Sequence, residues 1–154
     1  MTPAINQAAK SGIPFRIHEY AHDPHSESYG LEAAEKLGVD PRRVFKTLVA
    51  DAQGVLIVGI VPVSTSLDLK ALASTAGVKR AEMADIADAE RATGYVAGGI
   101  SPLGQRKRLR TILDNSAAAF ATIFVSAGRR GLEIELAPTD LIKLCTGQMA
   151  AIAR

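Results

Sequence analysis

Two features of the chain combine residue types that could act on a bound molecule. Lys46 lies in VFKTL, between residues expected to be buried, and lysine is seldom buried without a polar or anionic partner. Gly98 and Gly99 have no Cβ, so their backbone can approach a ligand closely and offer amide N–H groups to a carbonyl oxygen or a phosphate. An ammonium and backbone donors together could stabilise the negative charge that develops in acyl transfer.

Each feature also has a purely structural interpretation. Lys46 could extend its ammonium to solvent from a strand edge, or it could pair with a carboxylate such as Glu133. The glycine pair could form a bulge or a plain turn. The residues alone leave these alternatives open, and they favour a lysine in a cleft.

The chain shows no convincing nucleophile of its own. Ser101 lies in GISPL, which superficially resembles the nucleophile elbow of serine hydrolases. The second small residue of that motif is missing, and Pro102 has no N–H to donate to an oxyanion. Cys145 lies on the apolar face of DLIKLC without a basic partner, which is typical of a packed hydrophobic residue.

Three histidines, His18, His22 and His25, lie close in sequence to Asp23 and Glu27. Their spacing matches no familiar zinc pattern, and one falls in a predicted strand while the other two fall in a loop. We therefore expect exposed or hydrogen-bonded histidines, with no metal ion and no other cofactor.

Positive charge is concentrated directly after the glycine turn, at Arg106, Lys107 and Arg108, with Arg110 just beyond. Such clusters are either solvated surface or contacts to phosphate groups. The position beside the candidate cleft favours an anionic polymer whose end enters that cleft.

Length and composition set the limits of the possible functions. A chain of 154 residues is long enough for one domain, predicted over 1–154, with a substantial core. No apolar segment could span a bilayer, and a single cysteine excludes an internal disulfide, so we expect a cytoplasmic protein without membrane contact. With 18 basic and 16 acidic side chains, the charge is too even to predict nucleic-acid binding from composition alone, and no DNA partner is expected.

The periodicity of apolar residues predicts an α/β (α+β) fold with a mixed, largely antiparallel, barrel-like sheet surrounded by helices. Capping residues and terminal glycines bound the predicted helices, at 2–11, 31–38, 66–77, 84–94 and 139–145. Alternating or β-branched runs bound the predicted strands, at 15–20, 44–51, 53–63, 78–83, 110–115, 121–127, 131–137 and 149–154.

Four stretches in this order resemble the YbaK family: FRIHEYAHDP, VFKTLVAD, TGYVAGGISPLGQRKRLRTILD and GLEIELAPTDL. The resemblance runs along the whole chain. Members of the family are bacterial deacylases that hydrolyse Cys-tRNA(Pro), and they are related to the editing domain inserted in prolyl-tRNA synthetase. The resemblance therefore implies the same fold and the same class of reaction.

The resemblance also assigns roles to residues. It makes Lys46 the main polar side chain of the pocket, with Gly98 and Gly99 offering backbone donors to the ester. Glu133 falls where related sequences carry aspartate, so its carboxyl reaches one methylene further. Six residues are implied in substrate binding: Tyr20, Tyr29, Thr47, Ser101, Pro102 and Glu133.

The implied mechanism needs no protein nucleophile. The thiol of the mischarged cysteine attacks its own ester and forms a thiolactone, while the pocket holds the reacting atoms close together. We therefore predict trans-editing of mischarged tRNA(Pro) in partnership with prolyl-tRNA synthetase, with Arg106, Lys107 and Arg108 contacting tRNA phosphates. Two alternatives stay open: a deacylase of Ala- or Ser-tRNA, and a module that binds the tRNA end or the synthetase without catalysis.

Overall fold

The computed structural model describes all 154 residues and contains five α-helices, two short 3-10 helices and eight strands. In chain order the elements are α1 (Pro3–Ser11), β1 (Arg16–Glu19), α2 (Tyr29–Leu37), a 3-10 turn (Pro41–Arg43), β2 (Phe45–Ala52), β3 (Val55–Pro62), α3 (Leu69–Ala76), β4 (Glu82–Met83), α4 (Ile86–Thr93), β5 (Arg110–Asp114), a second 3-10 turn (Asn115–Ala119), β6 (Ile123–Arg129), β7 (Leu132–Leu136), α5 (Pro138–Cys145) and β8 (Gln148–Ala150). None of the helices is long and apolar enough to cross a membrane.

Local signals account for several element ends. The Thr2 hydroxyl accepts a hydrogen bond from the Ile5 N–H at the start of α1, and Gly12 ends that helix with φ +79°. The β2–β3 hairpin turns at Gln53 and Gly54, where both residues have positive φ, and the Asp51 carboxylate accepts the Gly54 N–H. The helix predicted over 2–11 and the strands predicted over 44–51 and 53–63 are confirmed.

The strands form two sheets. The larger has the order β4–β2–β3–β5–β8, and the smaller has the order β1–β7–β6. Neighbours are antiparallel except for β3–β5 and β5–β8, so the prediction of a mixed, largely antiparallel fold is confirmed.

The predicted barrel does not close. A single parallel bridge between Val44 and Phe124 joins β6 to the start of β2. Further along, β4 takes over that side of β2, pairing with Ala50 and Asp51. Because β1 and β8 both remain edge strands, the fold is two sheets meeting along one seam rather than a barrel.

Apolar clusters lie on both faces of the larger sheet. The main cluster includes Phe45, Ile60 and Leu113 with residues of the smaller sheet, and the second packs α3 onto the opposite face. The nearly continuous apolar run of β3 fits a strand that is buried on both sides.

Helix α2 covers the seam between the sheets. Ala33 and Ala34 pack there with Val44, Val63 and Phe124. The helix begins at Tyr29 rather than at the predicted residue 31, with Ser28 in the N-cap position but without a side-chain hydrogen bond to the first turn. This earlier start makes Tyr29 the first residue of α2.

Candidate active site

A cavity of about 340 Å³ opens at the seam, between β2, the β6–β7 hairpin, the start of α2 and the glycine loop. Its volume falls in the range of small-molecule sites. Six of the residues that the sequence singled out line it: Tyr20, Tyr29, Lys46, Thr47, Gly98 and Glu133. The structure therefore brings together residues that are more than a hundred positions apart in the chain.

Lys46 is the second residue of β2 and is half-buried in the cavity wall. No carboxylate lies within ion-pair distance of its ammonium, so the alternative of a pair with Glu133 is not found. Burial lowers the pKa of Lys46 below its ordinary value, because the charged form loses hydration. The ammonium is thus available to a ligand in the cavity.

Glu133 lies on β7, opposite His18 of β1 and Ser126 of β6, and its exposed fraction is only 7%. Burial raises its pKa to about 8, so the carboxyl is mostly protonated at neutral pH. Close by, the Thr47 hydroxyl is buried without a hydrogen-bond partner. A neutral carboxyl and a free hydroxyl therefore offer hydrogen bonds to a bound molecule without adding negative charge.

The glycine loop is fixed by close packing. A Cβ at Gly98 would lie 2.6 Å from Cε2 of Tyr29, and a Cβ at Gly99 would lie 2.8 Å from the Cα of Arg129. The Ser126 hydroxyl donates a hydrogen bond of 3.0 Å to the Gly99 carbonyl. Both glycines are therefore required by the packing around the cavity.

Only one of the two glycines can act as a backbone donor. The Gly99 N–H is already donated to the Val96 carbonyl at 2.9 Å, so the prediction that it faces the ester is wrong. That bond closes a tight turn, which the sequence did not reveal. The Gly98 N–H has no acceptor in the protein, and Gly98 lines the cavity.

Ser101 and Pro102 do not line this cavity. Ser101 is fully buried, and its hydroxyl accepts the Leu103 N–H while its carbonyl accepts the Gln105 amide. Pro102 lines a different depression of about 270 Å³. The predicted substrate contacts of these two residues do not fit the structure, because the loop turns inward after Gly99 and uses them to hold its own shape.

The basic cluster also lies outside the lining of the cavity. Arg106, Lys107 and Arg108 are exposed, and the main-chain N–H groups of the first two donate to the carbonyls of Thr93 and Ala92 at the end of α4. The assignment of these three side chains to tRNA phosphates stays a prediction.

The sequence analysis missed two cations in the cavity wall, Arg129 and Arg130. Strand β6 continues to Arg129, two residues beyond its predicted end, with an irregular register between Ser126 and Arg129. The guanidinium of Arg130 lies 3.6 Å from the centre of the Tyr29 ring. The signal that could have found them is the adjacent pair of charges in a short turn between two strands.

Two of the three histidines have structural partners, and the third, His25, is exposed. His18 is hydrogen-bonded to Glu135 at 2.9 Å and His22 to Glu32 at 2.8 Å, as the sequence analysis expected. Glu32 is buried and also accepts the Asp23 N–H, which ties the loop before α2 to that helix. No group of three or more His, Cys, Asp or Glu side chains is arranged to hold a metal ion.

The remaining candidate nucleophile is also unsuited to catalysis. Cys145 lies in α5, partly buried, and it does not line the cavity. Burial raises its pKa to about 11, so almost none of it is thiolate at neutral pH. No thiolate of this chain therefore faces the cavity, and none of the three serine and threonine hydroxyls that line it, at Ser28, Thr47 and Ser126, is hydrogen-bonded to a base.

Comparison with known proteins gives the family that the sequence resembles. Residues 24–144 match the family model of the aminoacyl-tRNA editing domain. The chain is 39% identical over 153 residues to EbsC of Enterococcus faecalis, named as a Cys-tRNA(Pro)/Cys-tRNA(Cys) deacylase, and the match covers 98% of this chain and 92% of the relative.

Solved structures share the fold. One, described as a trans-editing enzyme for prolyl tRNA synthetase, superposes with a TM-score of 0.85 at 21% identity and covers 100% of this chain and 99% of its own. Another, described only as a hypothetical protein, has a TM-score of 0.88 at 21% identity and covers 99% of this chain and 100% of its own.

The fold and the cavity thus define a class of proteins that act on the ester between an amino acid and its tRNA, and the chain belongs to the aminoacyl-tRNA editing domain family of the YbaK type. The resemblance seen in the sequence is confirmed. As a member of this family, the protein is an aminoacyl-tRNA deacylase.

The buried Glu133 carboxyl predicts a pH-dependent stability. The unfolded chain ionises this group near its ordinary pKa of 4.5, whereas the folded chain does so only near 8, so stability is full below 4.5 and falls as the pH rises towards 8. Glu133→Gln removes this loss. Thermal unfolding at the two pH values should show that, from pH 5 to pH 9, the free energy of unfolding of wild type falls by on the order of 4 kcal/mol relative to that of the variant.

Glu19→Gln is the matched control, because Glu19 is exposed on β1. It should follow the wild-type profile at both pH values. A Glu133→Gln profile parallel to that of wild type would show that the carboxyl ionises freely in the folded protein.

Proposed function

We propose that residues 1–154 form one trans-editing deacylase domain that hydrolyses mischarged Cys-tRNA(Pro). The observation that carries the proposal is a cavity with a free ammonium at Lys46 and a free backbone donor at Gly98, but without a thiol or a hydroxyl that is hydrogen-bonded to a base. Such a site suits a substrate that brings its own attacking group. The name of the relative EbsC supports cysteine as the amino acid.

In the proposed reaction, the sulfur of the cysteinyl group attacks its own ester carbonyl and forms a C–S bond. The Gly98 N–H and the Lys46 ammonium stabilise the resulting oxyanion. The C–O bond to the terminal ribose then breaks, and the proton lost by the thiol ends on the departing ribose oxygen. Water finally hydrolyses the released thiolactone to cysteine.

This mechanism makes selectivity partly chemical. A thiol with a pKa near 8.5 is about one-tenth thiolate at pH 7.5, whereas an alcohol is hardly ionised at all. Serine in the same cavity would therefore react slowly, and alanine has no attacking group. Discrimination does not need a pocket that distinguishes sulfur from oxygen by shape.

The direct test compares hydrolysis of Cys-, Ser- and Ala-tRNA(Pro) by the purified protein. We expect Cys-tRNA(Pro) to be hydrolysed at least about 100-fold faster than the other two, a difference of roughly 2.7 kcal/mol in barrier. S-methylcysteinyl-tRNA(Pro), which fills the cavity but has no thiol, is the matched control and should be stable. Rapid hydrolysis of Ser- or Ala-tRNA(Pro) would instead favour a water-based mechanism and a different substrate.

We also propose prolyl-tRNA synthetase as the partner that selects the tRNA. The net charge of +2 is small for a protein that must recognise a whole tRNA by itself. Adding the synthetase to the same assay should lower the concentration of Cys-tRNA(Pro) needed for the half-maximal rate. An unchanged dependence on tRNA concentration would mean that the deacylase selects its substrate alone.

A further inference from the structure

The β6–β7 hairpin places Arg129 and Arg130 in the cavity wall without ion-pair partners. Two acidic side chains share that wall. Glu27 is exposed, and Glu133 is largely protonated at neutral pH because burial raises its pKa. Together with Lys46, the arginines give the cavity an excess of positive charge, which a bound anion would compensate.

Arg130 is held in a defined orientation. Its guanidinium stacks on the Tyr29 ring at 3.6 Å, an arrangement that leaves the N–H groups around the edge of the guanidinium plane free to donate. The Nε atom is buried and has no hydrogen-bond partner, and the Nη2 atom reaches only the Ser26 carbonyl, at 3.5 Å. A buried donor without an acceptor is costly, and an anion bound at this edge of the guanidinium would satisfy it.

We propose that Arg130, with Arg129 beside it, binds the phosphate on the 5′ side of the terminal adenosine of tRNA. The guanidinium fork matches two oxygens of a phosphate group. The inference rests on the proposed function, since an aminoacyl group seated against Lys46 and Gly98 brings the terminal nucleotide to this wall.

Tyr29 connects the two parts of the site. The backbone of Gly98 lies close to Cε2 and Cδ2 of its ring, and the guanidinium of Arg130 lies over the face of the same ring. The position of the bound phosphate therefore fixes the ring that lines the aminoacyl cavity. The same side chain, Tyr29, therefore takes part both in binding the terminal nucleotide and in positioning the ester.

Small probes test this site without relying on activity. Adenosine 5′-monophosphate carries a phosphate at the proposed position, and adenosine lacks it. In NMR titrations of the whole protein, we expect the monophosphate to bind at least about tenfold more tightly than adenosine, which corresponds to about 1.4 kcal/mol. Inorganic phosphate should bind more weakly than the monophosphate, because the nucleoside is part of the ligand.

Arg130→Gln should make the affinities for adenosine and its monophosphate equal. Arg130→Lys keeps the charge but loses the fork, so it should retain part of the difference between the two affinities. Arg80→Gln is the control, since Arg80 is an exposed arginine that does not line the cavity.

Three outcomes overturn the inference. They are equal affinities of wild type for adenosine and its monophosphate, an unchanged preference in Arg130→Gln, and binding of inorganic phosphate as tight as that of the monophosphate. Failure of the proposed function is distinguishable, because it appears as stable Cys-tRNA(Pro) in the hydrolysis assay whatever the titrations show.

Discussion

Lys46→Met should reduce the rate of Cys-tRNA(Pro) hydrolysis by at least about 100-fold while the fold stays intact. Loss of one group that stabilises an oxyanion typically costs two to three orders of magnitude in rate. The ammonium contributes no ion pair, and burial lowers its pKa, so the folded state gains nothing from the charge. Single-turnover hydrolysis and thermal unfolding of the same preparation measure both effects.

Lys70→Met is the matched control, because Lys70 is exposed on α3 and lies outside the cavity. It should hydrolyse Cys-tRNA(Pro) at the wild-type rate. A Lys46→Met protein that is fully active would remove the ammonium from the mechanism. A protein that is both inactive and unfolded would instead assign Lys46 a structural role.

Gly98→Ala should lower hydrolysis by more than about tenfold, because a side chain there displaces the ring that lines the cavity. The added Cβ would lie 2.6 Å from Cε2 of Tyr29, and the backbone at Gly98 has φ +92°. Tyr29 must move, and Arg130 loses the ring on which it stacks. The change should also cost about 1–3 kcal/mol of stability, the usual cost of a non-glycine residue in this conformation.

Gly54→Ala separates the two causes. Gly54 has φ +95°, almost the same as Gly98, yet a Cβ there would meet no atom within 4 Å. It should lose a similar amount of stability and keep its rate of hydrolysis. If both variants keep full activity, the contact between Gly98 and Tyr29 is not needed for the reaction.

Strands and turns with strong local signals were predictable from the sequence. The alternation in FRIHEY and the Gln53–Gly54 turn depend on side-chain direction and on backbone conformation within a few residues. The convergence of Lys46, Gly98 and Glu133 came from the family resemblance, since no local pattern relates positions so far apart.

Features that depend on contacts between distant segments were not predictable. Whether the Gly99 N–H is free depends on the tight turn back to Val96, and whether Ser101 faces a ligand depends on the inward path of the loop. The stack of Arg130 on Tyr29 needs the irregular end of β6 and the early start of α2 together. That the barrel stays open was not predictable for a similar reason, because it depends on β4 and β6 sharing one side of β2.

The raised pKa of Cys145, the single sulfhydryl in the chain, has a protective consequence. The proposed reaction releases a thiolactone, which acylates thiolates. An enzyme whose own sulfur stays in the thiol form reacts poorly with this product and is not inactivated by repeated turnover.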